Sequence, residues 1–134
     1  MRKKFNSGFT LIELIVVITI IGILAAIMVP RIVGRTDDAK IVKTKQDILA
    51  IETALELYKL DNGFYPTTDQ GLQALVEKQT IDPVPQHWKH GGYLKRLRKD
   101  PWGHAYQYLN PGEHSDFDIY SAHDKKIIGN WDAS

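Results

Sequence analysis

Glu13 is the one charged side chain in the 21 residues from Phe9 to Val29. A carboxylate in such a run opposes insertion into lipid by about 2.5–3.5 kcal/mol at mid-membrane. A place near a helix N-terminus softens that cost, because the positive end of the helix dipole faces it. A chain that needed only a removable signal would still gain from leucine there. If the chain is cut between Gly8 and Phe9, the new α-amino group lies four residues from Glu13 on the same helical face. The carboxylate then has an ammonium to pair with, its own or that of a neighbouring copy. The second choice makes the helix a docking element. The chemistry here is ion pairing, not bond making.

Other groupings carry less. His87 and His90 stand three apart in a Pro- and Gly-containing stretch without nearby Cys or Glu, which reads as a surface pair rather than a metal site. Lys95-Arg96-Leu97-Arg98-Lys99 has an apolar interruption and a flanking Asp100, so it reads as a solvated patch or subunit contact. Trp88, Trp102 and Trp131 suit a core or an interface. No Ser, His and acid spacing suggests a nucleophile and no Gly-rich loop suggests a phosphate cradle, so no enzyme is expected. The absence of Cys excludes disulfides and thiolate metal sites. The formal charge is +1, and loss of Arg2, Lys3 and Lys4 would leave a negative remainder, which argues against a nucleic-acid partner.

The elements that must position these residues follow from periodicity. The Phe9–Val29 run would span about 31 Å as a helix, a bilayer's hydrocarbon thickness, and the basic leader before it would stay on the cytoplasmic side. Pro30 should kink or loosen the helix, with Gly22 and Gly34 as further weak points. Beyond Arg31 the pattern becomes amphipathic, with Ile41, Ile48, Ile51, Leu55 and Tyr58 on one stripe and Asp61-Asn62-Gly63 as a stop. Thr67 and Gln70 have capping-box spacing, which predicts a two- to three-turn second helix through Leu72, Leu75 and Val76. Thr80–Gly92 reads as an irregular connection. Ala105–Leu109 and Asp116–Ser121 alternate as two antiparallel strands, and Ile127–Trp131 suggests a short third. A chain of 134 residues, 43% hydrophobic, has room for one anchor and one small domain of α+β class.

Gly8-Phe9-Thr10-Leu11-Ile12-Glu13 and the apolar run after it resemble the processing site of type IV pilins and pseudopilins. The resemblance implies that a prepilin peptidase cuts after Gly8 and methylates Phe9, and that Glu13 is the assembly glutamate. Further blocks appear in order: Tyr65-Pro66-Thr67, Gln70-Gly71-Leu72, Gly92-Tyr93-Leu94, Asp100-Pro101-Trp102-Gly103, Asp118-Ile119-Tyr120-Ser121 and Ile128-Gly129-Asn130-Trp131. Together they resemble the G-type, major pseudopilins of the type II secretion system. That resemblance implies a pilin-like fold, with a long N-terminal helix (membrane-spanning half plus amphipathic half) packed on a small antiparallel β-sheet. Residues 1–8 would be a removed leader, 9–29 a transmembrane and assembly helix, and 30–134 a periplasmic domain. The chain would be a single-pass protein of the bacterial inner membrane. Its copies would polymerise through the N-terminal helix into a filament that drives folded exoproteins across the outer membrane. Implied partners are other copies, the prepilin peptidase, minor pseudopilins, an inner-membrane platform with its assembly ATPase, and the inner membrane. The alternative within the superfamily is a type IV pilin for adhesion or DNA uptake; from another class, a membrane-anchored binding module that stays monomeric.

One departure from the family pattern concerns calcium. The family's loop before Ile-Gly-Asn-Trp is longer and carries calcium-binding aspartates. Here it is cut to Ala122-His123-Asp124-Lys125-Lys126-Ile127, with Lys126 and Ile127 where an Asp pair belongs. Asp118 and Asp124 are thus only weak calcium candidates, because calcium needs six to eight oxygens and a lysine adds the wrong sign. No cofactor is expected, and an ammonium from Lys125 or Lys126 is expected to neutralise Asp124 or Asp118. Arg98 also departs from a family proline.

Overall fold

A computed structural model describes residues 8–133, with side chains for 8–27 and 35–132. The chain divides into two compact units, Met1–Asp38 and Ala39–Ser134. The expected leader charges, Arg2, Lys3 and Lys4, lie outside the described residues.

The described part of the first unit is helical from Leu11 on, and helix α1 is assigned as Leu11–Asn62, through Gly22, Pro30 and Gly34. Thr10 caps its start, its Oγ1 accepting from the Glu13 N–H at 3.3 Å. Phe9, Leu11, Ile12 and every large apolar side chain onward to Ile27 are exposed. Among the described residues no helix is long and apolar enough to cross a membrane. The expected membrane-spanning half of the helix, and with it the single-pass inner-membrane placement with a periplasmic domain, is therefore corrected.

In the second unit the predicted stripe is the core. Ile48, Ile51, Leu55 and Tyr58 of α1 are buried with Leu72, Leu75, Tyr106, Tyr108, Phe117, Ile119 and Ile128, and Ile41 packs at the edge. The helix stops where expected. Gly63 takes φ 85° and its N–H bonds to the Lys59 carbonyl at 2.7 Å, a left-handed close that a Cβ would disfavour.

The predicted second helix is corrected to a single 3₁₀ turn, Leu72–Leu75. The Thr67–Gln70 capping pair does form, each side chain meeting the other's backbone N–H at 3.1 and 3.0 Å. It closes a turn instead of opening a helix, because Gly71 comes next at φ 64°. Gln70 is buried, and its amide donates to the Ile81 and Pro83 carbonyls, tying down the irregular connection beyond the turn.

The sheet is antiparallel in the order β1 (Gln107–Leu109), β2 (Asp118–His123), β3 (Lys126–Gly129). Tyr108 pairs with Ile119, and Tyr120 with Gly129. Tyr106 and Tyr108 share the buried face as their alternation predicts, and their hydroxyls donate to Asp47 Oδ2 and the Pro66 carbonyl. Strict alternation fails at the start of β2, where Asp118 and Ile119 are both buried, as is Phe117 just before them. The third strand ends at Gly129, and Asn130–Ala133 is a 3₁₀ turn.

Candidate functional site

Two places carry the sequence-derived candidates. The first is the start of α1. Gly8 is exposed, and a Cβ built on it would meet nothing within 4 Å, so the fold itself makes no demand for glycine there. Phe9 is 81% exposed, and Glu13 stands in the first helical turn with no ion pair among the described residues. Thr10 is a contributor that sequence reasoning missed. Its signal is the Thr-x-x-Glu spacing, which places Glu13 at the position whose N–H the cap receives. Glu13 thus sits where a carboxylate favours the helix dipole, and its exposed side chain stays open to an outside cation. A long exposed apolar segment with one acid is built for contact with other molecules.

The second place surrounds Asp118, which heads β2 and is 1% exposed. Oδ2 accepts from the Glu113 N–H at 2.8 Å and from the His114 N–H at 3.1 Å, with His114 Nδ1 at 3.0 Å. Oδ1 accepts from the Ser115 N–H at 3.1 Å, with Ser115 Oγ at 3.3 Å. Burial by itself would raise the carboxyl pKa. The His114 ring and the three backbone N–H groups outweigh it and hold the group below its ordinary value. A carboxylate only accepts, so His114 Nδ1 carries its proton. The His114 ring stacks on Trp131, centroids 3.9 Å apart at 10°. Asn130 completes the knot: its Oδ1 accepts from the Ile119 N–H, and its amide donates to the Phe117 carbonyl. Sequence reasoning also missed His114, whose only signal is a position four residues from an acid.

Asp124 is elsewhere. It lies past the far end of β2, in the two-residue turn Asp124-Lys125 with φ 52°, its carboxylate 3.3 Å from His123 Nε2. The expected lysine neutralisation is corrected. Among the described residues neither Lys125 nor Lys126 makes an ion pair, and backbone N–H groups with His114 serve Asp118 instead.

His87 and His90 are exposed loop residues. Lys95, Arg96, Arg98 and Lys99 are exposed too, and Arg98 and Leu97 border a groove of about 740 Å³ against Ala50, Ile51 and Tyr106. Each tryptophan has a partner: Trp88 donates to the Ala74 carbonyl, Trp102 stacks on His123, and Trp131 stacks on His114. Asp100 is a second buried carboxylate, which in the sequence stands out only as part of a contiguous block. Its Oδ1 accepts from the Trp102 and His104 N–H groups and its Oδ2 from Ser121 Oγ, which fixes the 100–104 turn to β2.

Comparison with known proteins decides what these features belong to. The family model for protein G of the type II secretion system matches residues 31–133, and the model for the prokaryotic N-terminal methylation motif matches residues 3–29. The chain belongs to the type II secretion system protein G family. It is 51% identical to the type II secretion system core protein G of Pseudomonas aeruginosa, covering 98% of this chain and 99% of that one. It is 50% identical to the protein of the same description from Aeromonas hydrophila, covering 98% and 96%. The crystal structure of the major pseudopilin from the type 2 secretion system of enterohaemorrhagic Escherichia coli superposes with a TM-score of 0.70 at 46% identity. It covers 75% of this chain and 93% of that one. The chain is accordingly a structural subunit of the type II secretion pseudopilus, in a family that is not enzymatic. Family membership brings with it the usual partners of that secretion system. The alignment to the Pseudomonas protein runs over 141 residues, more than the 134 of this chain, so that relative carries residues this chain lacks.

Proposed function

We propose that the chain is cut between Gly8 and Phe9, methylated on Phe9, and assembled through the apolar segment that begins there. In this reading Glu13 of one copy pairs with the α-amine of its neighbour. Residues 1–8 are the leader and 9–29 the assembly segment, while residues 30–134 supply the folded domain. The observation that carries the reading is the exposed apolar start of α1 with a single first-turn acid, in a chain whose residues 3–29 match a methylation motif. Copies meeting by a rotation that does not close give an open helical filament. Bundling like apolar helices changes apolar burial little, so side-chain packing and the Glu13–amine pair together select the register. The partners in this reading are other copies, the prepilin peptidase, minor pseudopilins, and the platform protein with its assembly ATPase. Growth of the filament drives folded exoproteins across the outer membrane.

The intact mass of the protein isolated from cells tests the processing step. The expected mass lacks Met1–Gly8 and gains one methyl group; a chain with Met1 attached, or trimmed beyond Phe9, overturns it. Glu13→Gln tests the pairing, since it keeps size and removes charge. Filaments and secretion should be lost while the folded domain keeps its stability. Normal assembly of Glu13→Gln would sink the pairing.

A further inference from the structure

The family resemblance carries an expectation of calcium in the C-terminal loop, and the residues of this chain do not fit it. Asp118 and Asp124, the two weak candidates, stand at opposite ends of β2, about 20 Å apart at 3.3 Å per residue. One ion cannot reach both. The nearer obstacle is at Asp118 itself. A hard cation needs free oxygen lone pairs, yet both carboxylate oxygens are occupied by N–H donors from three consecutive residues and by the His114 ring. The positive ends of those N–H dipoles fill the place an ion would take. Asp124 offers one exposed carboxylate beside His123, with Lys125 and Lys126 directly after it in the chain.

We propose that the C-terminal hairpin of this chain closes without a cation, the Glu113–Ser115 backbone N–H groups and the His114 imidazole doing at Asp118 what a bound ion would do. The closure extends to the chain end. His114 lies flat on Trp131, and Trp131 covers Gly129 so closely that a Cβ there would sit 2.4 Å from the indole. Asp132 then accepts from the Gly129 N–H at 2.9 Å, locking the Asn130–Ala133 turn to β3. The two-residue turn at Asp124-Lys125 leaves no slack for a loop that an ion would need to order. Nothing in this depends on filament assembly, and the test reads the folded chain alone.

Thermal unfolding of the full-length chain is measured in about 1 mM CaCl2 and in about 1 mM EGTA, with calcium titrated calorimetrically in parallel. The expected result is a Tm unchanged within about 1 °C and no saturable heat. A ligand present at about 100 times its Kd raises Tm by several degrees, so a rise of that size, or stoichiometric binding, overturns the proposal. Amide exchange then tests the clasp. His114→Ala should speed exchange at Gly129 at least about tenfold, and His114→Gln, which keeps a donor and loses the stack, should fall between. His87→Ala should change nothing there. Unaltered exchange at Gly129 in both His114 variants would remove His114 from the closure.

Discussion

Replacing Asp118 by Asn tests whether the N–H groups converging on this side chain hold the C-terminal half together. The side chain keeps its shape, but one acceptor oxygen becomes an NH2 donor. The less costly orientation puts that NH2 at the Oδ1 position, where Ser115 Oγ can rotate to accept and the Ser115 N–H cannot. One buried N–H is then orphaned, at about 1–3 kcal/mol. The bonds retained at the other oxygen, from the Glu113 and His114 N–H groups and the His114 ring, lose their charge assistance and about half their strength. Together these give a destabilisation of roughly 3 kcal/mol. Urea unfolding of both proteins at neutral pH measures it as a shifted midpoint at constant slope. A loss below about 0.5 kcal/mol would refute the reasoning, because it would mean the donors are satisfied equally well without the carboxylate. The acid limb supplies a second readout. The folded pKa values of Asp118 and Asp100 both lie below their ordinary 3.8, so their stabilisation is complete above that value and is lost as pH falls through the lowered values. Asp118→Asn should therefore flatten the fall in stability below about pH 4, leaving the part due to Asp100.

Two tyrosines on the core give opposite expectations for the same atom removed. Tyr108→Phe should cost about 1 kcal/mol, since its hydroxyl donates to the Pro66 carbonyl at 2.7 Å, which Asn110 continues to satisfy. Tyr58→Phe should be neutral or stabilising, because the buried Tyr58 hydroxyl has no hydrogen-bond partner among the described residues. Thermal unfolding of the pair checks both signs. Leu55→Ala, at a fully buried position, should cost about 2–5 kcal/mol by denaturant unfolding. Thr10→Ala should loosen the first turn by about 1 kcal/mol, seen as faster amide exchange at Glu13 and Leu14, and leave the unfolding of the second unit unchanged.

Much of the fold can be read from local pattern. The stripe from Ile41 to Tyr58 is a 3.6-residue period, and the helix buries that face. Gly63 ends the helix because only a left-handed residue closes it there, and Tyr106 and Tyr108 share a strand face because alternation leaves no other choice. The capping pair at Thr67 and Gln70 is legible as chemistry, yet it does not start the helix its spacing predicts. Its two hydrogen bonds are local, but the path of the chain beyond them depends on the backbone angle at Gly71. It depends also on Gln70 reaching the Ile81 and Pro83 carbonyls, more than ten residues on. The length of apolar sequence around Glu13 suggests a membrane span, whereas among the described residues no helix is long and apolar enough to cross a membrane.

The order of the motifs settles the family, because each block is contiguous: the Gly-Phe-Thr-Leu-Ile-Glu junction, the proline and glycine turns, the final Ile-Gly-Asn-Trp. Contiguous chemistry survives in a string of letters. Which groups meet across the fold does not. Asp118 reads as a strand residue and a weak metal ligand, and folding buries it under three consecutive N–H groups and a histidine. His114 and Trp131 are 17 positions apart in the chain and in ring-to-ring contact in space. Only the tertiary structure decides that, since the hairpin register brings the chain end back over the turn before β2, and no local propensity encodes where a returning strand will land.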